Sequence, residues 1–151
     1  MMARIRPAQD TDCDAVLALI AELARDDRGA DVDEGAVTAA IRSCISGSDR
    51  TIFIAEGDTG LIGYIAVHWV PFPMLGGTEG YISDLIVARA RRGEGVGRRL
   101  VAAAEDRARE LGCVRLMLNN RVAAESYKRA FYPKLGFRIR DEFANLVKSL
   151  R

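Results

Sequence analysis

The sequence predicts an α/β domain on a mixed sheet, and three observations carry that prediction. Short apolar runs with period-two alternation interleave with stretches of helical periodicity along the whole chain. The length of 151 residues, 49% of them hydrophobic, suits one ordinary domain spanning residues 1–151 that buries roughly 70% of its extended surface. No internal repeat, low-complexity segment or linker divides it. The elements read in order as strand, two helices, three strands, helix, strand, helix and two strands, which makes about seven strands and about four helices.

Ala3 to Arg6 alternates and stops at Pro7, giving the first strand. Thr11 with Asp14 resembles a capping box, and Val16, Leu17, Leu19, Ile20 and Leu23 form a helical stripe lasting to about Arg25. Asp26 to Asp33 is polar and acidic and reads as a loop. Glu34 to about Ser46 forms a second helix, with Val37, Ala40, Ile41 and Cys44 on one face and Gly47-Ser48 as its stop. Thr51–Glu56 and Leu61–Val70 are β-rich runs around the hairpin signal Gly57-Asp58-Thr59-Gly60. Pro71 and Pro73 are expected to end the second run, near His68 and Trp69, and Met74–Gly80 to form a loop. A lone histidine such as His68 is more often structural than catalytic.

Tyr81–Val87 is the next strand. Val96, Leu100, Ala103, Ala104, Ala108 and Leu111 then repeat at helical spacing up to Gly112. Val114–Leu118 is a strand broken by Asn119-Asn120-Arg121, and Ala123–Lys134 a helix closed by Gly136. Phe137–Arg140 and Ala144–Leu150 complete the chain as two strands paired through Asp141-Glu142.

Composition excludes several classes. A formal net charge of +1 argues against a nucleic acid or a membrane as partner of the whole molecule. Cys13, Cys44 and Cys113 are odd in number and widely separated, so neither a disulfide framework nor a metal site is expected. The N-terminus lacks a signal-peptide pattern and no apolar run approaches the roughly 20 residues that span a bilayer, so a cytoplasmic location is the expectation.

The chemistry concentrates between Tyr81 and Gly97. Gly93, Gly95 and Gly97 alternate with single residues at the mouth of a helix, and Arg89, Arg91, Arg92, Arg98 and Arg99 surround them. Uncovered backbone N–H groups and the positive end of a helix make such a turn a place for an anion. A Walker-type loop fails because Arg98 and Arg99 stand where Lys-Ser/Thr is required, and a dinucleotide fingerprint fails because the glycines are spaced two apart.

Arg92-x-x-Gly95-x-Gly97 resembles the acetyl-coenzyme-A loop of the GNAT N-acetyltransferase superfamily. A second segment, Ala130-Phe131-Tyr132-Pro133-Lys134-Leu135-Gly136-Phe137, is similar to the signature that closes the last helix of those enzymes. The element order follows the family from end to end. The resemblance implies a largely antiparallel sheet whose fourth and fifth strands splay apart to admit acetyl-CoA. Leu85, Ile86 and Val87 would pair with the pantetheine arm as an added strand. Arg92, Gly93, Glu94, Gly95, Val96, Gly97 and Arg98 would hold the pyrophosphate, and Asn120, Ser126 and Arg129 would contact the cofactor from the other side. The link from Asn120 to Tyr132, residues 121–131, is longer than the family usually has.

Acetyl transfer to an amine needs a donor for the oxyanion, an acid for the leaving thiolate and a route for a proton off an ammonium group. A backbone N–H near Leu85 would serve the first need. The resemblance gives Tyr132 the acid role, which suits a phenol that stays protonated at neutral pH. Many relatives carry a glutamate early in the fourth strand, but that place here holds Tyr81. Glu79 and Asp84 are the nearby carboxylates, and either could act as base through water, or the amine could arrive already neutral; strand alternation puts Glu79, Tyr81 and Ser83 on one face and Asp84 on the other. A cysteine nucleophile is not required. The reaction expected is direct transfer to a primary amine of a small molecule or protein, the alternative being a module that binds acyl-CoA without transferring it. The resemblance also admits a homodimer.

Overall fold

The structure, a computed structural model, describes residues 2–151. It divides into two compact units, one ending at Met117 and one spanning Leu118–Arg151. The sheet, of order β1-β2-β3-β4-β5, is formed by β1 (Arg4–Pro7), β2 (Arg50–Gly57), β3 (Gly60–Phe72), β4 (Gly77–Val87) and β5 (Arg115–Leu118), and all but the last residue of β5 belongs to the first unit. The first four strands are antiparallel neighbours. Helices α1 (Cys13–Arg28), α2 (Glu34–Ser46) and α3 (Val96–Glu110) cover it. The fold is thus mixed α/β with five strands; about seven were expected.

Each helix ends for a local reason. Gly29 takes the left-handed conformation, φ 59°, and returns its N–H to the Arg25 carbonyl, so α1 runs past the expected Arg25 to Arg28. Asp33 caps α2 by accepting a hydrogen bond from the Ala36 N–H. At the head of α1, Arg6 donates to both oxygens of Asp12, at 2.8 and 2.9 Å, and also reaches Glu56 on β2. That fork fixes where the first helix leaves the sheet.

The two sheet faces carry different partners. Ile52, Ile54, Tyr64, Ala66 and Ile86 pack with Cys13, Val16 and Leu19 of α1 and Ile41 of α2. Leu100, Val101 and Ala104 of α3 are buried on the other face. Apolar burial at about 25 cal/mol per Å² makes these two layers the main source of cohesion.

Three expectations about strands are corrected. β3 runs through Pro71, because beyond His68 it no longer pairs with β2 and the missing N–H faces no ladder on that side. The expected loop Met74–Gly80 shrinks to a 3-10 turn, Pro73–Leu75, closed by a left-handed Gly76, so Gly77–Gly80 belong to β4. Phe137–Arg140 and Ala144–Leu150 form no strands. The apolar side chains of Ile139, Leu146, Val147 and Leu150 stay in solvent, Leu146 at 90% and Leu150 at 92% exposed, and the three-residue link at 141–143, without glycine or asparagine, does not sustain a hairpin with nothing packed beneath it.

The second unit holds α4 (Glu125–Lys128) and a 3-10 turn, Pro133–Leu135. The expected helix Ala123–Lys134 stops early because Ala130 adopts a positive φ of 54° and Pro133 cannot continue the ladder. Among the described residues no helix is long and apolar enough to cross a membrane, and no cluster of His, Cys, Asp or Glu suits a metal.

Candidate active site

β4 reaches past β5 toward α3. β5 lies parallel to β4: the Val114 N–H, just before β5, donates to the Thr78 carbonyl at 2.9 Å, and Arg115 pairs with Glu79. The strands touch there because Gly80 has no side chain; a Cβ would come within 2.8 Å of the Trp69 ring and 2.5 Å of Leu116. Four residues carry β5 only to about the level of Ile82. Leu85, Ile86 and Val87 therefore keep an edge toward which β5 does not extend.

That edge runs directly into the glycine turn. After a 3-10 turn at Arg89–Arg91, Arg92 is extended, Gly93 and Gly95 have φ of 86° and 80°, and α3 starts at Val96. Only glycine occupies such φ values without strain, and the space in front of both Cα atoms is open. Among the described residues no backbone acceptor takes the N–H groups from Gly93 to Arg98, and the first donation after them is from Arg99 to the Gly95 carbonyl. Those amides include the unsatisfied first turn of a helix, with its partial positive charge. The turn is braced around them. Arg92 folds its Nε onto the Val87 carbonyl at 3.0 Å, Arg91 pairs with Glu94 at 2.9 Å, and Glu22 of α1 accepts the Arg89 N–H at 3.1 Å. Arg98 is exposed beside the turn.

The two candidate carboxylates stand in different surroundings. Glu79 is 4% exposed and holds Arg115 at 2.5 Å, so its charge is already neutralised. Among the described residues no cation forms an ion pair with Asp84. The ladder between β3 and β4 slips at one place: Ala66 faces Asp84 while Val67 faces Ile82, which leaves Ser83 as the extra residue of a bulge. The bulge corrects the strand alternation expected from the sequence. It turns Asp84 to the face of Glu79 and Tyr81, beneath α1 and α2.

There Asp84 lies near Tyr64 and His68 of β3, and near Cys44 of α2. The residue is reached by solvent, yet its carboxyl is crowded by protein. This crowding raises its pKa above the usual carboxylate value, and the nearby His68, Tyr64 and Ser83 oppose the rise. His68 lies 2.9 Å from the Ser83 hydroxyl through Nε2 and packs on the Tyr81 ring. Burial, then the charge of Asp84, raises the Tyr64 phenol and keeps it protonated.

The remaining candidates belong to the second unit. Ser126 donates to the Asn120 side chain at 3.0 Å, and Arg129 lies over the Phe131 ring. Tyr132 packs edge-on against Phe131 and Phe137, at centroid distances of 4.9 and 5.7 Å. Burial pushes its pKa up to about 12. The first unit thus unites Asp84 with the edge Leu85–Val87 and the turn Arg92–Arg98, and the second unites Asn120 with Ser126 and Arg129 with Phe131. Tyr64 and Cys44 have no signal in the sequence beyond apolar periodicity, since each sits in an ordinary core stripe.

The chain is 33% identical over 94 residues to an acetyltransferase of Agrobacterium fabrum, covering 58% of this chain and 61% of that one. It is 37% identical over 62 residues to a probable glucosamine 6-phosphate N-acetyltransferase of Oryza sativa subsp. japonica, covering 41% of this chain and 35% of that one. The chain therefore matches less than two thirds of either relative's length. The structure of a possible acetyltransferase from Clostridium difficile 630 superposes with a TM-score of 0.83 at 15% identity over 100% of both chains, a likeness of fold. The family model described as acetyltransferase (GNAT) matches residues 17–137, a span that takes in β4, the glycine turn and the Phe131–Phe137 segment. The chain belongs to the GNAT family of acetyltransferases.

Proposed function

We propose that the protein transfers an acetyl group from acetyl-CoA directly to a primary amine. The observation that carries this reading is the run of unpaired amides from Gly93 to Arg98, continuous with the open edge of β4. The residues fit the cofactor: the amides and Arg98 offer a diphosphate several donors at a helix N-terminus. The outward backbone groups of Leu85 and Val87, on either side of Ile86, offer an extended amide-bearing chain partners along that edge. Acetyl-CoA supplies an activated thioester. The protein's part is to align it, to meet the charge developing on the carbonyl oxygen with a backbone N–H near Leu85, and to move two protons.

Asp84 is the base in this reading. Its raised pKa brings it nearer to that of the proton carrier it must serve, whereas Glu79 is tied to Arg115. Tyr132 is the acid, kept protonated throughout the neutral range by a pKa of about 12. Asn120, Ser126 and Arg129 are the remaining cofactor contacts. The acceptor is a small or protein-borne primary amine.

The test is thiol release from acetyl-CoA against a panel of polyamines, amino sugars, amino acids and peptides. Amine-dependent release on at least one class is expected. Tight CoA binding with no release on any amine would replace the transferase reading with that of an acyl-CoA-binding module.

A further inference from the structure

We propose that Tyr64 is a positioning residue for Asp84, its phenol donating a hydrogen bond that steadies the carboxylate as it faces the acceptor amine. The inference rests on the reading of Asp84 as the base. Asp84 stands opposite Ala66 in an antiparallel ladder, so on the neighbouring strand it is flanked diagonally by Tyr64 on one side and His68 on the other. Diagonal neighbours of this kind lie about 7–8 Å apart, a gap that an aromatic side chain spans. The bulge at Ser83 is what brings Asp84 into that diagonal.

The phenol is otherwise unexplained. Tyr64 is 1% exposed, and its hydroxyl is buried with no hydrogen bond of normal geometry. A buried hydroxyl without a partner is costly and is retained where a partner completes it. Catalytic hydrogen bonds are often long in the free enzyme and tighten when substrate binds. The charged and titratable groups around Asp84 leave the role open to Tyr64. From β3 come Tyr64 and His68, from β4 Tyr81 and the Ser83 hydroxyl, and from α2 Cys44, which itself has the pair Asp49–Arg50 nearby at the entry to β2. Arg50 is engaged by Asp49 at 2.8 Å, and the Ser83 hydroxyl is shared with His68. Among the described residues Ser83 and Tyr64 bring hydroxyls beside Asp84, and of these two the Tyr64 hydroxyl is the one without a hydrogen-bond partner.

The test is Tyr64→Phe, which keeps the ring and removes the hydroxyl. Carbon NMR titration of the Asp84 carboxyl in the full chain should show its midpoint displaced upward by about one pH unit, about tenfold in the ionisation constant. The acid limb of kcat/KM should move with it. An unmoved Asp84 titration overturns the proposal even if turnover falls, because a purely structural role would lower turnover alone. A displaced titration in a protein that acetylates no amine supports the link between Tyr64 and Asp84 and removes only the reading of Asp84 as base. Should Tyr64→Phe not fold, the ring carbon bearing the hydroxyl in the unaltered protein serves instead. Its shift should follow the ionisation of Asp84 and cease to do so in Asp84→Asn; a shift indifferent to Asp84 overturns the proposal.

Discussion

Replacing Gly95 by alanine separates the cost of a strained backbone from the loss of an anion site, because the fold supplies an internal control. Gly95 and Gly29 both stand at helix ends in the left-handed region, with φ of 80° and 59°, and a Cβ at either meets no atom within 4 Å. A non-glycine residue there costs about 1–2 kcal/mol, with no further steric term in either case. For a chain of this length 1 kcal/mol lowers Tm by about 2–4 °C, so Gly29→Ala and Gly95→Ala should melt lower by similar amounts. Only Gly95 borders the unpaired amides, and a methyl in the open space before it stands where a diphosphate would approach. A loss of about 1.4 kcal/mol, tenfold in Kd, is the least expected for CoA binding to Gly95→Ala, with Gly29→Ala binding as the unaltered protein does. The assay is calorimetric titration with CoA beside thermal melts of all three proteins. Equal CoA affinity in Gly95→Ala and the unaltered chain would refute the assignment of the turn.

Other substitutions probe the rest of the account. Asp84→Asn should abolish the acid limb of the pH–rate profile. It should also raise Tm at neutral pH, because a carboxyl with a raised folded pKa favours the fold below its unfolded pKa and loses that contribution as pH rises through the folded value. The stability difference between the two proteins should therefore shrink toward acid, and melts across pH 3 to 8 measure it. Asp12 behaves in the opposite sense: the Arg6 fork lowers its pKa, so its contribution is present above the unfolded value and lost as pH falls through the folded one. Asp12→Asn should cost about 1.5–3 kcal/mol by urea unfolding at neutral pH and much less at acid pH. Tyr132→Phe should lower kcat by about 100-fold or more while leaving CoA affinity nearly unchanged, and an unaltered kcat would remove Tyr132 from the reaction. Leu100→Ala, at a fully buried α3 position, should cost about 2–5 kcal/mol by the same unfolding assay.

Much of this arrangement is legible in the residue order. The apolar stripes of α1, α2 and α3, the Gly57–Gly60 hairpin and the glycine turn follow from spacing and turn chemistry, which act within a few residues. What the sequence hides depends on pairing. Nothing in Ile82-Ser83-Asp84 announces a bulge, yet one slipped residue moves Asp84 to the face of Tyr81 and beside Tyr64. Pro71 reads as a strand stop until β3 is seen to have no β2 partner at that level. Phe137–Arg140 and Ala144–Leu150 alternate as strands do, but alternation expresses itself only against a neighbouring ladder and an apolar face, and Leu146, Val147 and Leu150 have neither. Glu79 looks as available as Asp84 in the sequence; its engagement by Arg115, thirty-six positions away, appears only in three dimensions.

The central claim is that the acetyl group passes straight from acetyl-CoA to an amine. Incubation with acetyl-CoA carrying a carbon-13 acetyl group, with an amine identified in the thiol-release screen, tests it by mass spectrometry of product and protein. The account predicts label in a new amide, matched mole for mole by CoA, and none left on the protein. Label retained on a protein side chain, or CoA bound with no labelled amide formed on any amine, would contradict it.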